Sequence, residues 1–170
     1  PIPAVRRRAL VPFPVGAAPP PHLSPPAAGR EPFSPAVGLG CMVMPGFYFA
    51  GAEEDSIATL HRAADVGMNF IDTADVYGDG RSEQLIARVL KERDEQVYVA
   101  TKAGRRLTPH LAQGYNRQNL TAFVERSLLN LDVEALDLVQ LHCPPTEVYY
   151  NPEVFEVLDD LTKAGKIRHY

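Results

Sequence analysis

The sequence is poor in several features that would each assign a class. It has only two cysteines in 170 residues, Cys41 and Cys143. That is too few for the disulfide framework of a small secreted domain, and reduced thiols in a cytoplasmic protein are the expectation. No apolar stretch reaches the roughly 18 residues that a membrane-spanning helix needs, so no membrane partner is expected. With five scattered histidines and two cysteines there is no metal-ligand spacing, and no metal site is expected. Nor is there an excess of positive charge. A net charge of −4 argues against nucleic acid as the main partner. What is present, 45% hydrophobic residues, is the composition of a globular protein, and the length suits one domain.

Proline is unevenly spread. Residues 1–37 hold 11 of the 16 prolines, including Pro19–Pro21 and Pro25–Pro26. Proline fixes φ and lacks an N–H, so this block is expected to be an irregular, disordered tail ahead of a globular region at 38–170. Arg6-Arg7-Arg8 followed by Ala9-Leu10-Val11 looks like the start of a targeting peptide, but Pro12 and Pro14 interrupt the apolar run. A wrongly assigned start or a non-native leader is the preferred reading. The chain starts at Pro1 and stops at Tyr170, inside a new apolar run after Lys166, which suggests a fragment.

From residue 38 the chain alternates short apolar segments with amphipathic ones. Ile57, Leu60 and Ala64 recur at helical spacing and predict a helix over 55–66, closed by Gly67. Leu85, Ile86, Val89 and Leu90 predict a second over 82–92, and Leu120, Phe123, Val124, Leu128 and Leu131 a third from about 116. Asn151-Pro152 opens a fourth, ending at Gly165. Between them lie the strand-like runs 38–40, 69–72, 97–102, 136–142 and one beginning at Ile167. Continuous apolar strands are the pattern of a parallel sheet covered by helices. Both an open doubly wound sheet and a (β/α)8 barrel fit that pattern.

Three consecutive strands end on a titratable residue: Asp72, Lys102 and His142, with Tyr77 on the loop after the first. In parallel α/β folds the carboxyl ends of strands face the ligand, so these side chains should converge on one cleft. A phenol titrates near pH 10 and is a weak acid at neutrality. A neighbouring ammonium, itself held by an aspartate, favours the phenolate and tunes the group to give a proton to a carbonyl oxygen. The histidine can hydrogen-bond the same oxygen. No side chain donates hydride, so a nicotinamide cofactor is implied.

With GLGCM at 38–42, GMNFIDTADVYGDGRSE at 67–83, VATKAG at 99–104, LDLVQLHCPP at 136–145 and GKIRHY at 165–170, the chain resembles the N-terminal half of an aldo-keto reductase. The resemblance implies a (β/α)8 TIM barrel of which about the first four βα units are present. It maps the family's catalytic tetrad onto Asp72, Tyr77, Lys102 and His142, with Tyr77 as general acid. It also implies reduction of a small aldehyde or ketone with NADPH, and makes Gly40, Cys41, Met42 and Asp72 cofactor neighbours. Most of the family's cofactor contacts come from its second half, so the chain is expected to be an inactive part. GLG at 38–40 is no dinucleotide fingerprint, since CMVMPG follows it instead of a helix. The alternatives are a non-catalytic regulatory subunit on the same fold, against which His142 argues, and a stand-alone half-barrel. No feature specifies the oligomeric state or the particular carbonyl substrate.

Overall fold

The computed structural model describes residues 37–44 and 53–170. The proline-rich tail falls almost wholly outside these residues. Five strands and four α-helices alternate: β1 (Leu39–Gly40), α1 (Glu53–Asp65), β2 (Phe70–Asp72), α2 (Arg81–Lys91), β3 (Tyr98–Ala103), α3 (Arg117–Leu131), β4 (Leu136–Leu141), α4 (Pro152–Lys163) and β5 (Ile167–His169). Among the described residues, three short 3₁₀ turns, at Tyr77–Gly80, Ala112–Gly114 and Thr146–Tyr150, were not legible from apolar spacing. Each sits in a connection between a strand and the following helix, where apolar periodicity has nothing to register.

The strands form one parallel sheet in the order β1-β2-β3-β4-β5. A doubly wound sheet reverses strand order at a switch point. A sequential order has no such reversal and belongs to a barrel opened along one seam. The register aligns Gly40 with Asp72, Asp72 with Ala100 and Lys102 with Gln140. The backbone ladder runs on past the strands, from Thr73 N to Ala100 O (2.8 Å) and His142 N to Ala103 O (2.8 Å). Asp72 and Lys102 therefore lie on strands, whereas His142 lies one residue beyond β4.

The helices form where apolar spacing and end signals agree. α1 begins two residues before its expected start, with three acidic residues in its first turn that complement the helix dipole. It closes through Gly67 N to Ala64 O (2.9 Å) and Met68 N to Ala63 O (2.9 Å). The side chain of Asn116 caps α3 at Asn119 N (3.1 Å), and that of Asn151 caps α4 at Glu153 N (3.1 Å) with Pro152 at the first position. α4 ends at Lys163, two residues short of the expected Gly165.

Ile71, Val99, Val139 and Ile167 pack from the sheet against Leu60, Leu85, Ile86, Leu120, Val124, Leu158 and Leu161 from the helices. Burial of one such side chain stabilises the fold by about 1.5–3 kcal/mol. This layer holds the strand ends in place. A cleft of about 530 Å³, lined in part by Leu90, Val97, Leu131, Leu136 and Arg168, opens at the other, N-terminal ends of β3 and β4. In barrels that end serves stability rather than chemistry.

Candidate active site

The four residues expected to converge do so. Lys102 Nζ donates to Asp72 Oδ1 across the β2–β3 pairing, and to Thr73 O at 2.7 Å. The lysine side chain is largely shielded and the aspartate more open. Lys102 Nζ also lies over the Tyr77 ring, 5.3 Å from its centroid. The Tyr77 and His142 rings stand perpendicular with centroids 5.7 Å apart. Asp72, Lys102, Tyr77 and His142 thus form one chain of contacts at the carboxyl ends of β2, β3 and β4.

His142 is half-buried, and its Nδ1 has no hydrogen-bond partner among the described residues. Burial lowers its pKa, and the charges of Lys102 and Arg105 push the same way. The ring is therefore neutral at pH 7, with one nitrogen a donor and the other an acceptor. Its backbone is braced from the loop after β3: Tyr115 Oη donates to His142 O at 3.1 Å and pairs with His110 Nε2 at 2.8 Å. Burial pushes the Tyr115 phenol up to about 12, so it stays protonated and keeps its donor.

Of the expected cofactor neighbours, Gly40 is paired with Asp72 in register, and Cys41 N donates to Asp72 O at 2.8 Å. A Cβ on Gly40 would meet nothing within 4 Å, so open space lies against the backbone beside Asp72. Met42 is 47% exposed. This open backbone fits a bound cofactor. The Cys41 thiol does not, because it is fully buried and burial, with the Asp72 charge, pushes its pKa up to about 12. The Cys41 main chain is enclosed as well, its N–H donating to Asp72 O and its carbonyl accepting from Ser82 Oγ at 3.3 Å, so of the three residues only Gly40 and Met42 are open to a ligand.

Sequence reasoning missed a group of acidic residues on the segment that carries Tyr77, two of them buried. Asp75 is fully buried, and neither carboxyl oxygen has a hydrogen-bond partner among the described residues. Burial, reinforced by Glu83, pushes its pKa up to about 7 against the pull of Arg106 and Arg126. Glu83 is equally buried and accepts from Thr101 Oγ1 (2.6 Å) and Asn130 Nδ2 (2.8 Å). Asp79 takes Arg106 Nη1 (2.5 Å) and Arg126 Nη2 (2.7 Å) on one carboxyl oxygen. The signal was available: Asp72, Asp75, Asp79 and Glu83 follow one another at intervals of three and four, although the segment between them is not an α-helix. Among the described residues no group of three or more His, Cys, Asp and Glu side chains could hold a metal ion, and no helix is long and apolar enough to cross a membrane.

A sequential parallel sheet with an ion-paired lysine, a phenol and an imidazole at its carboxyl ends is the arrangement of part of a parallel (β/α) barrel. The model of the aldo/keto reductase family matches residues 36–170, and the chain belongs to that family. The aldo-keto reductase YhdN of Bacillus subtilis is 38% identical over 136 residues, covering 78% of this chain and 41% of the relative. The glycerol dehydrogenase AKR11B4 of Gluconobacter oxydans superposes with a TM-score of 0.69 at 32% identity, over 85% of this chain and 46% of that structure. An aldo-keto reductase of Klebsiella pneumoniae in complex with NADPH gives a TM-score of 0.65 at 27% identity, over 79% and 44%. The chain thus spans less than half the length of these proteins, and its sheet corresponds to part of their (β/α)8 barrel.

Proposed function

We propose that these residues carry the reduction of a small-molecule aldehyde or ketone to an alcohol, with NADPH as cofactor. When bound, NADPH supplies the hydride that reaches the carbonyl carbon. Tyr77 gives its phenolic proton to the carbonyl oxygen, so that hydride and proton together make the alcohol, and the phenolate then takes a proton back from water. Lys102, over the Tyr77 ring and tied to Asp72, supplies the positive charge that stabilises the phenolate. Neutral His142 donates a hydrogen bond that orients the carbonyl oxygen. Gly40 and Met42 border the cofactor beside Asp72, and the buried Cys41 between them holds that loop to β2. The observation that carries this reading is the unbroken contact chain from Asp72 through Lys102 and Tyr77 to His142. The NADPH in the Klebsiella relative supports the choice of cofactor. The two free thiols support a reducing compartment such as the cytoplasm.

Five strands leave the described sheet open at β1 and β5. Residues 1–170 alone are therefore expected to bind NADPH weakly and to turn over little substrate. The test of the chemistry joins this chain to the remaining part of the Bacillus subtilis relative, and follows NADPH consumption with small aldehydes and ketones. Tyr77→Phe should abolish nearly all reduction and leave NADPH affinity close to the parent chimaera's, because the phenol acts only in the transition state. Near-parental turnover in that variant would remove Tyr77 from the role of acid.

A further inference from the structure

Tyr77 opens a short turn with unusual backbone. The three residues after it all have positive φ: Gly78 at 57°, Asp79 at 55° and Gly80 at 93°. Asp79 is the one residue of the three with a side chain, and left-handed backbone is disfavoured there. Contacts from outside the turn hold it. Arg126, on α3 and 47 residues away in sequence, places Nη2 within 2.7 Å of both the Asp79 carbonyl oxygen and Oδ1. Arg106, four residues beyond Lys102, places Nη1 at 2.5 Å from the same Oδ1 and 3.5 Å from Asp75 O. One carboxylate therefore carries two guanidinium groups, and each arginine also bonds one main-chain carbonyl, Arg106 that of Asp75 before Tyr77 and Arg126 that of Asp79 after it. The carboxyl pKa of Asp79 is lowered, the Arg106 hydrogen bond contributing most.

An isolated surface ion pair does little, but a network that grips the backbone itself is a different case. We propose that Arg126, acting with Arg106 through Asp79, is a positioning residue for Tyr77: it clamps the left-handed turn and thereby sets where the phenol points. The clamp runs from α3 to the turn and from the turn to the loop after β3, the strand that carries Lys102. It therefore ties Tyr77 to the same framework as its lysine. Asn130, one turn further along α3, closes the same side. Its Nδ2 lies 2.5 Å from where a Cβ on Gly80 would stand, and it bonds Glu83 Oε2.

The proposal rests on the reading of Tyr77 as the acid, but its test does not use turnover. In the 170-residue chain, nuclear magnetic resonance would follow two signals: the contact between the Tyr77 and His142 rings, and hydrogen exchange of the Tyr77 amide, which is bonded to Ala74 O at 3.1 Å. Arg126→Gln should weaken the ring contact and cut Tyr77 amide protection about tenfold, with amides of β3 and β4 unaffected. Asp79→Gly, which relaxes the backbone while removing the carboxylate, should do the same. Asp79→Asn, which tolerates the left-handed conformation and keeps an acceptor, should do less. The double variant Arg126→Gln with Asp79→Gly should be no worse than either single change, since both break one network. Unchanged ring contact and protection in both single variants would overturn the clamp. So would equal losses in β3 and β4, which would mean that Arg126 supports the fold at large. A Tyr77→Phe chimaera that still reduces carbonyls would overturn the acid role and leave this result standing.

Discussion

Asp75 offers the sharpest test of the buried acidic residues near Tyr77 in the chain. Its side chain is fully enclosed, its oxygens meet no donor among the described residues, and Glu83 lies close enough to add repulsion. Its pKa is pushed from 3.8 up to about 7. Between those values the folded chain holds a proton that the unfolded chain has released. The contribution of this group to stability is therefore fully present below pH 3.8 and is lost as pH rises through about 7. About three pH units at roughly 1.4 kcal/mol each amount to about 4 kcal/mol. Asp75→Asn keeps the shape and removes the titration. Urea unfolding of both proteins, followed by circular dichroism at intervals from pH 4 to pH 8, isolates the effect, because the other titrations are shared and cancel. The stability of Asp75→Asn relative to the parent should rise with pH by up to about 4 kcal/mol and level off above pH 7 to 8. A difference that stays flat across this range would show that Asp75 is ionised in the fold, with Arg106 and Arg126 outweighing burial and Glu83.

Two further outcomes follow from the packing. Gly104 has a φ of +112°, and a Cβ there would stand 2.4 Å from the Tyr115 ring; Gly104→Ala should therefore destabilise the chain by about 2–5 kcal/mol, read as a lower urea midpoint with an unchanged denaturant slope. Cys143 is exposed, whereas Cys41 is buried with its pKa pushed up to about 12. At neutral pH an aromatic disulfide reagent should titrate one thiol in the native chain and two in denaturant, and rapid reaction of both in the native chain would contradict the burial of Cys41.

The local elements were legible because their signals are local. Helical spacing of Leu85, Ile86 and Val89 placed α2, Asn151-Pro152 marked the start of α4, and the runs ending in Asp72, Lys102 and His142 marked the rim where the candidate residues meet before any coordinates. Where boundaries moved, as at the start of α1 and the end of α4, the shift was two residues, the scale on which helix ends fray. The choice between a doubly wound sheet and a barrel was not open to strand and helix signals alone. Both use the same units, and motif resemblance pointed to the barrel before the sequential strand order was seen.

What the sequence determined by itself, then, is which residue types stand within a residue of the ends of which strands, since a period of two or of 3.6 is a property of neighbours along the chain. Tertiary structure alone decided that Asp75 and Glu83 are buried rather than solvated, that Tyr115 braces the backbone of His142, and that Arg126 reaches back 47 residues to hold the turn after Tyr77. Those contacts depend on how α2 and α3 pack against the sheet. A carboxylate or guanidinium in the sequence carries no mark of whether that packing will leave it in water or enclose it.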